Sequence, residues 1–512
     1  MKHFCRLALL AAAPATLSSQ STRTERLMSA MPAIDRLFQD FTTREHIPGA
    51  AWGVVIDGKL VHVGVTGYRD LAAKSPVDSS SVFRIASMTK SFTAMAILKL
   101  RDAGKLSLDD PAERYVPELA SLKYPTTDSP RITIRHLLSH AEGFPEDNPW
   151  GDQQLARTDD EMSRMMRAGI PFSTAPGTAY EYSNYGFAIL GRIVTKVSGV
   201  PYADYVAANI LRPLGMRSTT LSPASVPANR LAHGYRWEDD QWKEEPQLPD
   251  GSFGAMGGML TSLNDLGLYV SALLGAWPPR DGVETGPIRR SSLREMQQIW
   301  RPGTSSVVRD ASGLRLNTGG YGFGLRVSAS CMFAHIVAHS GGLPGFGSQM
   351  RWFPEQGVGI IAFGNRTYSG WGGPFDAALA ALAQTGALQP RMAEPSPALM
   401  QARENVTALV LNWNDNAAKA VAADNLFLDR SLERRAAEIL AHRNRVGTCT
   451  TGSGFAYVEN ALRGQWIIPC ERGSLLASIT LAPTMPPTVQ YMEFSAAPPS
   501  GVVSRPAICI ER

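Results

Sequence analysis

The sequence predicts an α+β fold followed by a small C-terminal α+β domain, and three observations carry that prediction. Short apolar runs with strand character lie near both ends of the first 385 residues, helical periods fill the interval, and a proline-containing stretch at 384–397, QTGALQPRMAEPSP, precedes a second set of helices and strands. At 512 residues, 44% hydrophobic and 19% charged, the chain can bury a large core in two or more domains.

The N-terminus, MKHFCRLALLAAAPATLSSQ, sets Lys2 and Arg6 ahead of a short apolar run from Leu7 to Ala13. Residues 1–20 therefore read as a signal peptide, and the protein is expected to be exported, periplasmic or secreted. Cleavage there would take the formal charge from +4 to +2. The run is too short to span a bilayer, and no later segment approaches about 18 uninterrupted apolar residues, so no transmembrane segment is expected. The charge is mild for this length and no block of lysine and arginine interleaves with aromatics, so no nucleic-acid partner is expected.

In chain order, Ala50–Gly67 holds two apolar runs on either side of Asp57-Gly58, a hairpin signature. A helix is expected from about Thr89 to Ala103, stopped by Gly104 at its C-cap. Residues 105–315 mix helical periods, at Glu161–Arg167, Tyr185–Val197 and Tyr202–Leu211, with many Pro and Gly breaks. Strand character returns at Tyr321–Val327, Ile336–His339, Gln349–Phe353 and Gly357–Phe363. One sheet closed by N- and C-terminal segments, with the middle helices walling a cleft, satisfies this order. Beyond a linker at 386–396, residues 397–512 read as a separate domain of two or three helices and short strands such as Trp466–Ile468 and Val489–Phe494.

Of five cysteines, Cys5 lies in the signal, Cys331 stands alone, and Cys449, Cys470 and Cys509 crowd the C-terminus. A Cys449–Cys470 disulfide suits an oxidising compartment. Buried thiols are the alternative; zinc is disfavoured because no Cys-x-x-Cys pair or adjacent histidine completes a tetrahedral set.

The segment RIASMTKSFTAM places Ser87 and Lys90 three residues apart where the expected helix begins, so the two share a face. A serine hydroxyl needs a base, and a lysine amine can serve if burial lowers its pKa from about 10.4. The helix N-terminus favours an oxyanion beside Ser87. A second group to hold the proton is supplied by Glu181-Tyr-Ser-Asn-Tyr-Gly-Phe187: a Tyr182 phenolate beside the Lys90 ammonium could take the Ser87 proton, with Asn184 orienting Lys90 or a substrate amide. A third element is His339-Ser340-Gly341-Gly342, where the glycines allow close approach of a substrate backbone and the Gly342 N–H could pair with that of Ser87 around an oxyanion. Alone, each motif also fits a solvated lysine, a packing tyrosine or a strand histidine.

Taken together and in this order, SMTK, YSN and HSGG resemble the β-lactamase-related serine hydrolases: class C β-lactamases, D-alanyl-D-alanine carboxypeptidases, D-aminopeptidases and the esterases of that fold. LSLDDPAERYVPEL, ITIRHLLSHAEGF, GAMGGMLTSLNDL and GYGFGL are similar to its framework, and the likeness covers roughly 33–385. The resemblance implies a β-lactamase/transpeptidase-like fold, an antiparallel sheet flanked by helices beside an all-helical subdomain. It implies Ser87 as the acylated nucleophile, Lys90 and Tyr182 as a shared proton-transfer pair, Asn184 as a substrate contact, Ser340, Gly341 and Gly342 along the substrate strand, and no metal or organic cofactor. The partner would be a small-molecule ester or peptide-like substrate.

One departure matters. Many members that use β-lactams carry lysine where this chain has His339, and histidine is mostly neutral at pH 7. That favours an esterase or D-amino-acid peptidase over a class C-like β-lactamase; a non-catalytic binder of cell-wall fragments is the remaining alternative. The pairs His136/His140 and His335/His339 are poor zinc sites, lacking a metalloprotease glutamate, and strand residues four apart lie about 13 Å from each other. Trp150, Tyr321, Tyr368 and Trp371 are aromatics for the cleft, with packing or loop anchoring the favoured reading of each.

Overall fold

Asp57 and Gly58 both adopt left-handed φ, +46° and +79°, the backbone a two-residue hairpin turn demands, and they join strand Gly49–Ile56 to strand Lys59–Asp70. All eight residues of Gly49–Ile56 are buried because both faces of this strand are covered. Ala51 and Val55 face one core, and Trp52, Val54 and Ile56 face another. The computed structural model describes residues 22–303, 305–310, 313–498 and 503; the signal-like segment and Cys509 lie outside them.

The two ends of the first domain meet in the sheet: Gly49–Ile56 pairs antiparallel with Val358–Gly364, Ala50 opposite Gly364 and Ile56 opposite Val358. From there the sheet continues through Phe346–Phe353, Ile336–Leu343, Arg326–Ala329 and Gly313–Tyr321. The sequence placed one strand over Tyr321–Val327. Instead the chain turns at 322–325, with Gly324 at φ +66°, and Tyr321 and Arg326 fall opposite each other on adjacent strands. One face of the sheet carries the helices Met31–Arg44 and Gly372–Gln384, locked by Phe38 against Trp52 and Phe375. The other faces the larger core, which includes helix Thr89–Asp102 and helix Asn184–Ser198. The middle region is not wholly helical: it also carries the hairpin Gly234–Glu238/Gln241–Glu245.

Past the linker, three helices, Pro397–Leu411, Asp415–Val421 and Leu432–Val446, pack on a four-stranded antiparallel sheet with a core of its own around Trp466, Ile468 and Ile479. Strand Gly473–Leu481, in the middle of that sheet, went unread in the sequence. Cys449 and Cys470 are disulfide-bonded. Cys331, isolated in sequence, is disulfide-bonded as well. Among the described residues no helix is long and apolar enough to cross a membrane.

Candidate active site

Helix Thr89–Asp102 begins directly after the 3₁₀ turn Ala86–Met88, which sets Ser87 at its mouth and Lys90 one turn in. Ala86, preceding the serine, holds φ at +47°, a conformation costly for a residue with a Cβ and one that fixes the serine's presentation. Lys90 is fully buried. Its Nζ donates to Ser87 Oγ at 3.0 Å, Asn184 Oδ1 at 2.6 Å and the Met256 carbonyl at 2.8 Å. Three acceptors match the three N–H bonds of an ammonium. Burial pulls Lys90 down to about 7, and Asp152 and Asp147 offset part of that by favouring the charge. At neutral pH a large fraction is therefore the free amine, whose lone pair can accept the Ser87 proton while Asn184 and Met256 keep its orientation.

Tyr182, also buried, shares a hydrogen bond with Ser87, and its ring lies under Lys90 Nζ, 4.8 Å from the centroid. Burial pushes its phenol well above the usual range, further than the Ser87 bond brings it back. Burial thus disfavours the phenolate expected from sequence and leaves Tyr182 a neutral hydroxyl, while the same burial favours the free amine of Lys90.

Asn184 is fully buried as the first residue of its helix, whose N-terminus is capped by Ser183 and Asp147. Its amide is used within the protein, Oδ1 by Lys90 and Nδ2 donating to Asn148 at 3.2 Å. Of the two roles read from sequence, orienting Lys90 or a substrate amide, its oxygen contact is with the lysine.

The strand Ile336–Leu343 crosses the serine turn so closely that a Cβ on Gly341 would sit 2.2 Å from the Ile85 carbonyl oxygen. Gly342 reaches the same cavity as Ser87, and a Cβ there would strike the Tyr368 ring at 2.7 Å. His339 is buried; its Nδ1 contacts the Ser340 carbonyl at 2.6 Å and its Nε2 the Tyr321 hydroxyl at 2.8 Å. A carbonyl only accepts, so Nδ1 carries the proton and Nε2 accepts from the tyrosine. Burial first, then Lys90 and Arg326, bring His339 down to about 3, so the imidazole is neutral. Ser340 is exposed and lines the cavity.

The cavity, of about 290 Å³, contains two residues that sequence reasoning missed, Asp152 and Arg326, and Tyr368, one of the aromatics the sequence offered for the cleft, lines it with them and Ser87. Tyr368 is half exposed with φ +51°, and its hydroxyl donates to Asp152 Oδ2 at 3.1 Å. Tyr321 and Trp371, by contrast, are buried packing residues. Arg326, one strand away from His339, brings a guanidinium to the cavity, 5.8 Å from the Tyr182 ring. The cluster EDNPWGD around Asp152 was the available signal, but nothing local says which acid faces inward. Of the histidine pairs, His136 caps its own helix and His140 accepts the Ser183 N–H through Nδ1.

A buried Ser-x-x-Lys pair with a tyrosine on the nucleophile, set between an antiparallel sheet and a largely helical region, is the framework of the serine hydrolases with a penicillin-binding fold. The chain belongs to the Beta-lactamase family, whose model matches residues 34–385. It is 28% identical over 321 residues to Penicillin-binding protein 4* of Bacillus subtilis (strain 168), covering 60% of this chain and 66% of that protein. To protein flp of Staphylococcus aureus (strain MW2) it is 29% identical over 337 residues, 65% of this chain and 62% of that one. Each match spans just under two thirds of the relative's own length. Among solved structures, the octameric penicillin-binding protein homologue from Pyrococcus abyssi superposes with a TM-score of 0.57 at 22% identity, over 88% of this chain and 96% of that one. The D-amino acid amidase from Ochrobactrum anthropi SV3 gives 0.55 at 24% identity, over 70% and 99%. Both likenesses establish the fold.

Proposed function

We propose that the protein is an exported serine hydrolase that cleaves esters or peptide-like amides through an acyl-enzyme on Ser87. The observation that carries this reading is the 3.0 Å contact between Ser87 Oγ and a wholly buried Lys90 held near neutrality. Lys90 takes the hydroxyl proton as Oγ attacks the carbonyl. The oxyanion forms between the N–H groups of Ser87 and Gly342, where loss of one donor would cost about 10² to 10³ in rate. Collapse expels the alcohol or amine, which receives the proton from Lys90 by way of the Tyr182 hydroxyl. Water then attacks the acyl-enzyme by the same route in reverse, freeing Ser87. The Cys449–Cys470 bond supports an oxidising compartment.

The neutral His339 supports an esterase or peptidase ahead of a β-lactamase, because it offers no fixed charge to a substrate carboxylate. Arg326 is the one cation lining the cavity among the described residues, and it favours carboxylated amides, as in a carboxypeptidase, over plain esters. The test is a side-by-side rate assay with p-nitrophenyl acetate, D-alanine p-nitroanilide, an acyl-D-Ala-D-Ala peptide and nitrocefin, with Ser87→Ala as control. Ser87-dependent turnover of ester or peptide with slow nitrocefin is expected. Nitrocefin as the fastest substrate overturns the ranking, and turnover that survives Ser87→Ala overturns the mechanism.

A further inference from the structure

Asp152 is a carboxylate in an expensive place. Its residue is 4% exposed, it lines the cavity that holds Ser87, and it forms no ion pair among the described residues. Its single side-chain hydrogen bond comes from the Tyr368 hydroxyl at 3.1 Å. With one neutral donor and no ammonium or guanidinium in hydrogen-bond contact, the carboxylate keeps acceptor capacity free for a partner in the cavity. The donor is itself poorly anchored: Tyr368 is 50% exposed and sits at φ +51° on the loop following strand Val358–Gly364, its backbone N–H tied to the Phe346 carbonyl at 3.2 Å.

Lys90 bears on Asp152 as an opposite charge and Asp147 and Glu146 as like charges, and Arg326 sits elsewhere on the same cavity wall. Burial raises the Asp152 carboxyl to about 6, so it is ionised at neutral pH. Burial raises the Tyr368 phenol, so that residue stays a neutral donor. The cavity thus carries a negative station at Asp152 and a positive one at Arg326, both on the wall shared with Ser87.

Resting on the Ser87 reading, we propose that Asp152 selects substrates that carry a protonated amine, and that the Tyr368 hydroxyl holds the amine's place until a substrate displaces it. An ammonium donates up to three charge-assisted hydrogen bonds where the phenol donates one, so exchange at Asp152 is favourable. The swing of Tyr368 away from Asp152 also withdraws its ring from above Gly342, opening the strand that faces the acyl group. Selection and opening are then one event.

The test uses two fluorophosphonates of equal length, one with an aminobutyl and one with a pentyl arm, and compares the rates at which they label Ser87 in the full-length protein. Both probes report the same nucleophile, so any effect of Asp152 on Lys90 cancels in their ratio. In the wild type the aminobutyl probe should label about tenfold faster or better. Asp152→Asn should bring the ratio to near one, and Tyr368→Phe, which removes the competing hydroxyl, should raise it. A wild-type ratio near one, or a ratio that survives Asp152→Asn, overturns the proposal. A Tyr368→Phe ratio equal to that of the wild type overturns the placeholder role. If neither probe labels Ser87, the nucleophile assignment itself has failed, a result separable from the others.

Discussion

Lys90 Nζ and Asn184 Oδ1 are 2.6 Å apart, both wholly buried, and this contact, more than the one to Ser87, fixes where the lysine points. An amide oxygen that prefers an ammonium partner also holds up the lysine's affinity for its proton against the burial that lowers it. Asn184 is therefore a positioning residue whose loss has a signature in pH. Asn184→Leu should move the ascending limb of the Ser87 acylation rate one to two pH units lower, the equivalent of a charged hydrogen bond of roughly 1.5–3 kcal/mol. A fall in rate with no movement of the limb would leave it a packing residue.

Lys90 itself sets the pH dependence. With the lysine brought down to about 7, acylation of Ser87 should be slow below pH 6, rise through about 7 and level off above 8. Lys90→Met should abolish the limb and cost about 10² to 10⁴ in rate. The sign for stability follows from the same depression: between about 7 and about 10.4 the unfolded chain binds a proton that the folded one does not, so this group's contribution improves as pH rises across that window. Denaturation midpoints at pH 7.5 and 9.5 should show a slope in the wild type that Lys90→Met lacks.

Gly341 is required by the crossing of its strand over the serine turn. A methyl group would meet the Ile85 carbonyl oxygen at 2.2 Å and Ser348 Oγ at 2.5 Å. Gly341→Ala should cost about 1–3 kcal/mol of stability and shift the strand off the nucleophile, measured as a lower melting temperature together with slowed labelling. Normal labelling at an unchanged melting temperature would show that the strand can yield without loss.

Arg326 is the cation that His339 is not. Its side chain is solvent-accessible, so screening limits its worth, and Arg326→Met should lower kcat/KM for an acyl-D-Ala-D-Ala peptide about tenfold while p-nitrophenyl acetate changes little. Equal losses on both substrates would assign it to the reaction centre and not to carboxylate binding.

What the sequence revealed of this site was local. Ser87 and Lys90 lie one helical turn apart, Tyr182 and Asn184 flank a helix start, and the glycines of His339–Gly342 sit on one strand, so each motif was visible locally, and their order, through the family resemblance, singled them out. Asp152, Tyr368 and Arg326 come from three segments that only tertiary assembly brings to one cavity, and none has a spacing that marks it. The sequence left Asn184 between orienting Lys90 and meeting a substrate amide for a similar reason: its partner Asn148 lies on a segment with no detectable period. Tyr321–Val327 misled because an apolar run with two glycines looks alike as a strand or as two strand ends joined by a turn. The helix Met31–Arg44 escaped notice, although its apolar face closes one side of the sheet.

The claim on which the rest depends is that Ser87 is the nucleophile and a neutral Lys90 its base. The direct measurement is intact-mass analysis of the full-length protein after treatment with a fluorophosphonate, followed by peptide mapping, across pH 5–9. One adduct per chain on Ser87, forming along a limb centred near pH 7 and absent from Ser87→Ala, is the expected result. An adduct on another residue, or one on Ser87 whose rate of formation does not depend on pH, would contradict it.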